Sequence, residues 1–439
     1  MGPDRSLLLR SAAVLASLVV ALFGCGTLSS VGGSNAADGN GPGVGASVKV
    51  VFVALDVAAV SKITGFNLAD AGDLEAQVQA LEDWVNANGG VGGRPLEAIY
   101  RRYDPANDSP ATEEQLCNEI TQDDRAFAAV LTGQLQANAR PCYAKRNTLV
   151  LDATLVATDD AMFKEFAPYL WNPSFPEYSG FAEAMISTLA AEGYFEGRKA
   201  VGVVAADNEV NRRVVEKQAV PLLKKLGLKA EIGWVDTTDQ GSLFQGNDQA
   251  ALTFRTKKID RVMFLGGARL ASIFGAVAAA QTYTPRLALS SFDNPGFFVN
   301  NPDTLPPASL EGAIGIGFNP SQDVPDSELP FPSSEAETQC LEIYGAAGIT
   351  FESREAARIA LTFCDSTRLL KEAGDKVTGP FNATTWAEAA HTLEDFGASA
   401  GFGSSLGPDS HAAAGSYRVL RYDEDCPCFK YEGDNVDFP

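Results

Sequence analysis

The sequence predicts an α/β protein of two lobes, each a parallel central sheet flanked by helices, and three observations carry that prediction. Apolar, β-branched runs alternate with stretches of helical period along most of the 439 residues, the rhythm of strands joined by crossover helices. The rhythm breaks at YLWNPSFPEYSG (169–180) and again around LEGAIGIGFNP (310–320), where prolines, glycines and aromatics mark crossings between lobes. A chain of 439 residues, 45% hydrophobic and 21% charged, is also too long for one ordinary domain.

At the N-terminus, Arg5 and Arg10 precede SAAVLASLVVALF, an apolar run short for a membrane span and suited to the core of an export signal. The run stops at LFGCG, where small Gly24 precedes Cys25. This resembles the lipobox of bacterial lipoproteins, which implies a signal peptide over 1–25 and lipidation of Cys25. Each buried CH₂ contributes about 0.8 kcal/mol, so two or more acyl chains hold a protein stably on a membrane. GTLSSVGGSNAADGNGPGVGAS (26–47) has almost nothing to bury and reads as a flexible linker.

KVVFVALDV (49–57) reads as a strand buried on both faces. Leu74, Val78, Leu81 and Val85 then fall at helical spacing. PLEAIYRRYD is a second strand; ATEEQLCNEITQDD, AFAAVLTG, QANARPCYAKR and TLVLDAT continue as helix, strand, helix, strand. A second lobe repeats the order, with helix FAEAMISTLAAEG, strand KAVGVVAAD, helix EVNRRVVEKQAVPLLKKLG, strand KAEIGWVD, helix DQAALTFRTKK, strand RVMFLGG, helix LASIFGAVAAAQ and strand RLALSSFD. Residues 333–397 are mostly helical by period, and SYRVLRYD with CFKYEGD forms a closing hairpin. These breaks assign 48–175 and 319–400 to lobe 1, and 176–318 and 401–439 to lobe 2.

The glycines of WVNANGGVGGRP (84–95) suggest a phosphate loop, but such a loop must follow a strand and open a helix, whose free N–H groups hold the anion. Here they follow a helix and precede a strand. Gly89 takes the left-handed conformation that ends a helix and the others form a turn.

A formal net charge of -22 and the lack of a basic stripe exclude nucleic acid as a partner. Of seven cysteines, setting Cys25 aside leaves Cys117, Cys142, Cys340, Cys364, Cys426 and Cys428. In an exported protein these read as disulfides; many pairings are possible, and neighbours in sequence are the simplest. Linking Cys117 to Cys142, or Cys340 to Cys364, contributes roughly 3 kcal/mol by chain entropy. A Cys426 to Cys428 bridge gains little, because its loop is so small. His391 and His411 make no zinc spacing with any cysteine pair, so no metal and no cofactor are expected.

Two tethered α/β lobes resemble the type I periplasmic substrate-binding proteins, in particular the branched-chain amino acid (Leu/Ile/Val) branch that serves ABC importers, in its actinobacterial lipoprotein form. WVNANGGVGGRPLEAIYRRYD looks like that family's helix, glycine turn and second strand, LEGAIGIGF lies near its second crossover, and SLGPDSHAAAGSYRVLRYDEDCPCF resembles its last crossover and hairpin. Cys117 and Cys142 sit where relatives carry an N-lobe disulfide. The resemblance implies a monomer anchored outside the cell membrane, capturing a small organic ligand by hinge closure and presenting it to ABC permease subunits.

In open parallel sheets ligands gather at the carboxyl ends of strands. That rule selects Asp56, Gln134, Gln136 and Thr154 in lobe 1, and Asn208, Asn211, Arg269, Phe292 and Asp293 in lobe 2, with Trp171 and Tyr178 near a hinge. Departures from the family point away from an amino acid zwitterion. Gln134, Leu135 and Gln136 replace a run of small hydroxyl residues, Ala268 replaces an aromatic, and Asp293 is the candidate to meet a ligand ammonium. Another small molecule, aromatic or aliphatic with a polar end, fits better.

Two other readings compete. The same clamp could signal to a membrane partner as a surface sensor. GSSLG (403–407), followed by Asp409 and His411, fits a serine-hydrolase pattern with Ser405 as nucleophile. That motif needs a strand before it and a helix after it, whereas GASAGFGSSLGPDS is loop on both sides. His391, in TTWAEAAHTLEDF, reads as a helix-face residue rather than a base.

Overall fold

The computed structural model describes residues 41–43, 45–64, 66–305, 307–404 and 406–439. The signal segment with Cys25, most of the linker, and Ser405 lie outside the described residues. No helix among the described residues is long and apolar enough to cross a membrane.

The first sheet contains β1 (Val48–Leu55), β2 (Leu96–Tyr103), β3 (Ala128–Thr132), β4 (Leu149–Asp152) and β5 (Leu170–Trp171), in the order β2-β1-β3-β4-β5 and parallel throughout. Side chains alternate across a strand, so β1 feeds two cores. Val48, Val50, Phe52 and Ala54 face Val78, Leu81, Phe363 and Trp386 on one side, while Val51 and Val53 meet Cys117, Tyr143 and Phe163 on the other. The helix Leu74–Ala87 begins at Asp73, whose side chain accepts from Ala76 N, and buries Leu74, Val78, Leu81 and Val85 as their spacing predicts.

The second sheet contains β6 (Ala200–Ala206), β7 (Lys229–Val235), β8 (Arg261–Leu265), β9 (Arg286–Ser290), β10 (Ile314–Gly317), β11 (Ser416–Asp423) and β12 (Cys428–Asp437), in the order β12-β11-β10-β9-β8-β6-β7. The closing hairpin β11–β12 is antiparallel and extends the edge beside β10. Two helices differ from the sequence reading by a wide turn: Glu119–Asp123 and Val215–Ala219 are π-helical. The second leads into Pro221, which has no N–H to continue an α ladder. β5 is only two residues long and lies inside the stretch read as a crossover.

The opening glycine run is a turn. Gly89, Gly90, Gly92 and Gly93 all have positive φ, Val91 bridges Arg94, and Lys371 donates to the carbonyls of Asn88 and Gly90. All six remaining cysteines are bonded, as Cys117–Cys142, Cys340–Cys364 and Cys426–Cys428.

The chain passes between the sheets at three places that touch one another. Asn172 N donates to His411 O and Ala413 N to Asn172 O, so the first and third crossings pair like strands. Buried Asp365 accepts from Ser399 N at 2.6 Å, Ala400 N at 3.0 Å and Ser174 Oγ at 3.2 Å. At the second crossing, buried Asp323 accepts from Ser291 Oγ, Asn319 N and Tyr431 Oη. The motif IGIG is explained here: a Cβ on Gly317 would lie 2.5 Å from the Tyr431 ring and 2.6 Å from the Asp323 carboxylate.

Burial, the largest cause, raises the carboxyl groups of Asp293 and Asp323 to about 7. The unfolded chain ionises these groups near their ordinary value, at about pH 4, whereas the folded chain keeps their protons until about 7. Their contribution to stability is therefore full below about pH 4 and lost as the pH rises through about 7. Asp323→Asn should flatten this dependence and raise stability at pH ~8 by at least about 1 kcal/mol relative to wild type. Urea unfolding of both proteins at pH ~5 and pH ~8 checks it.

Candidate functional site

The carboxyl ends of the two sheets face each other across a cleft of about 320 Å³. Lobe 1 supplies the loop after β3 (Leu135, Gln136, Ala137, Asn138), the loop after β4 (Leu155, Val156, Ala157), and Met162 and Phe166 of the helix Asp160–Phe166. Lobe 2 supplies the segment after β6 (Asp207 to Asn211), Arg213, Thr237 and Thr238 after β7, and Gly266, Gly267 and Arg269 after β8. Gly267 sits at φ 87°, and a Cβ there would come within 2.9 Å of Leu155 O on the opposite wall, so GGARL needs glycine where the lobes meet.

Polar contacts join the two walls. Asp108, just beyond β2, accepts from Tyr103 Oη at 2.9 Å, Gln136 Nε2 at 2.8 Å and Arg269 Nη1 at 3.2 Å. Arg269 also donates to Leu135 O and Thr237 O, and Gln136 to Thr237 O. Burial, the largest cause, lowers the Arg269 pKa. At the other flank, Arg213 makes a bidentate pair with Asp159, at 2.5 and 2.8 Å. Asp159 also caps the helix Asp160–Phe166 by accepting from Met162 N. Farther from the cleft, Asn67 and Asn301 exchange hydrogen bonds and Phe66 meets Phe297 edge-on.

Of the residues selected from the sequence, Gln136, Asn208, Asn211 and Arg269 line the cleft. Asn208 caps its helix through Asn211 N, and Asn211 Nδ2 donates to Leu265 O. The other seven lie elsewhere. Asp56 caps the helix Val57–Thr64 by accepting from Ala59 N. Thr154 is tied to the buried Arg140–Asp152 pair, and Gln134 is buried behind the loop. Trp171 is fully buried against Trp386, His391 and His411. Tyr178 and Phe292 belong to an aromatic cluster with Phe181 and Phe318 beneath the crossings, and Asp293 caps Ser290. Asp108, Asp159, Arg213 and Thr237 were missed. The strand-end rule applied to β2 and β7 would have found Asp108 and Thr237, whereas nothing local distinguishes Asp159 or Arg213 from ordinary helix-end residues.

The histidines are half-buried against aromatic rings away from the cleft. His411 stacks on Phe163 and meets Trp171 at a tilt, and burial lowers its pKa to about 4; His391 Nδ1 donates to Gly407 O. Among the described residues, the one cluster with metal-ligand proximity is Glu328 with Cys426 and Cys428, and those two sulfurs are bonded to each other.

Two α/β sheets with facing carboxyl ends, joined by three crossings, define a bilobal ligand-binding architecture. The periplasmic binding protein family matches residues 55–427, and the chain belongs to it. No curated protein matches the chain in sequence. Solved structures with the same fold include an ABC transporter substrate-binding protein of Aeropyrum pernix, at 16% identity and TM-score 0.64, covering 90% of this chain and 96% of that one. A fatty acid ABC transporter substrate-binding protein of Thermomonospora curvata follows at 15% identity and TM-score 0.63, covering 90% and 94%. A solute-binding protein from R. palustris in complex with benzoate gives 16% identity and TM-score 0.60, covering 89% and 98%.

The Asp159–Arg213 pair gives a direct test of the interlobe contacts. Asp159→Ala removes both the pair and a helix cap and should cost about 3 kcal/mol in urea unfolding. Asp159→Ser keeps a capping oxygen and should cost about half as much.

Proposed function

We propose that the protein is the extracytoplasmic solute-binding component of an ABC importer, held to the membrane by lipid on Cys25. It captures a small organic molecule between its lobes and releases it chemically unchanged. The observation that carries this reading is the cleft itself, formed by the carboxyl ends of both sheets, where loops supply polar groups and helices their N-termini. Hinge closure follows from the connections. Two rigid sheets joined at crossings that pack together can rotate about those crossings, and a ligand touching both walls favours the shut state by its differential affinity. Transport rather than catalysis agrees with the site, since neither histidine lines the cleft.

The lining supports a ligand with an apolar body and a polar end. Leu135, Leu155, Val156, Met162 and Phe166 offer one side, and Gln136, Asn208 and Thr237 the other. A fatty acid transporter's substrate-binding protein and a benzoate complex among the structural neighbours are compatible with apolar bodies of this kind.

A thermal-shift screen of small metabolites should return compounds that stabilise the full-length chain by about 2.7 kcal/mol at a hundredfold excess over Kd. Mass spectrometry should recover them unaltered; a compound that emerges transformed would overturn the reading. Cys25→Ser should move the protein from the membrane fraction to the soluble fraction, and unchanged membrane association would rule out the lipid anchor.

A further inference from the structure

The charge pattern of the cleft narrows the class of ligand, an inference that rests on the cleft being the capture site. Three guanidinium groups stand in or beside it, and each is neutralised by the protein's own carboxylates. Arg269 is held by Asp108 at 3.2 Å and by the carbonyls of Leu135 and Thr237. Arg213 is held by both oxygens of Asp159 and by Glu209 at 3.0 Å. Arg212 takes Asp207 through two nitrogens. Glu165 lines the cleft as an exposed carboxylate, with no ion pair among the described residues. The local sum is thus negative, inside a chain that already carries a net charge of -22.

An anion entering this space would need to displace a carboxylate from a partly desolvated arginine, exchanging one ion pair for another while adding repulsion from the carboxylate left behind. An uncharged polar group has no arginine to win: Gln136 Nε2 and Thr238 Oγ1 are already held by Asp108 and Asp236, but Gln136 Oε1 and Asn208 Nδ2 stay open to it among the described residues. It finds hydrogen-bonding side chains in Gln136, Asn208 and Thr238, with the apolar wall beside them. We infer that the cleft receives an uncharged molecule, an amide or alcohol on an apolar ring or short chain, and discriminates against the carboxylate of the same skeleton.

The test uses matched compounds: benzamide and hexanamide, benzylamine and hexylamine, benzoate and hexanoate. Calorimetry on the full-length protein in detergent should place each amide, and each amine, at least tenfold tighter than the matched carboxylate. In Asp108→Asn, Arg269 loses its carboxylate partner, and the carboxylates should gain at least tenfold while the amides change less than about threefold. Arg269→Gln supplies an opposite arm: it leaves Asp108 without its cation, so carboxylate affinity should fall further and the amide-to-carboxylate ratio should rise at least about threefold above wild type. Carboxylates binding wild type as tightly as amides, or a carboxylate affinity that rises in Arg269→Gln, would overturn the charge assignment alone. Silence from every compound on all three proteins would instead overturn the cleft as a receptor for molecules of this size, and the inference with it.

Discussion

The architecture depends on one buried carboxylate. Asp365, in the helix Arg358–Lys376, takes hydrogen bonds from Ser174 on the first crossing and from Ser399 and Ala400 on the third. Burial, the largest cause, raises its pKa, and Arg368 nearby opposes that shift. A polar group in so dry a place is kept only where hydrogen-bond partners converge on it. Here the donors belong to segments far apart in sequence, so the carboxylate fixes where the first and third crossings meet. Gly401 completes the junction, because a Cβ there would sit 3.3 Å from Ser174 O. In the proposed closure the two sheets turn about this junction.

The facing sheet ends inherit their relation from that junction. The walls touch through a small set of directional contacts, Asp108 with Arg269, Gln136 with Thr237, and Asp159 with Arg213. Pairs of this kind lose their geometry over a small rotation, which makes them suited to a two-state closure. They also fix the electrostatics of the space between, because each arginine that could draw an anion is already engaged by the wall opposite or by its own helix.

Much of the fold is legible in the sequence because it rests on local signals. The 2-residue and 3.6-residue periods marked strands and helices, the position of the glycine run after a helix excluded a phosphate loop, and nearest-neighbour cysteines gave the bonds found. The cleft was less legible for a physical reason. Strand order decides which carboxyl ends lie side by side, and no local pattern encodes it. With β7 beside β6 and β9 beside β10, the loops after β6, β7 and β8 form the cleft, while Phe292 and Asp293 at the end of β9 fall beneath the crossings. Trp171 lies beside the crossings, next to Asn172 and against His411, but the two-residue β5 buries it in the core, and the prolines around it obscured the strand.

The most direct measurement is the distance between the lobes. Spin labels at Glu114→Cys and Gln245→Cys, both exposed on helices that start beside the cleft, report it by pulsed electron paramagnetic resonance. The account predicts a distance distribution that shortens and narrows when a stabilising compound is added. A distribution identical with and without that compound would contradict capture by closure.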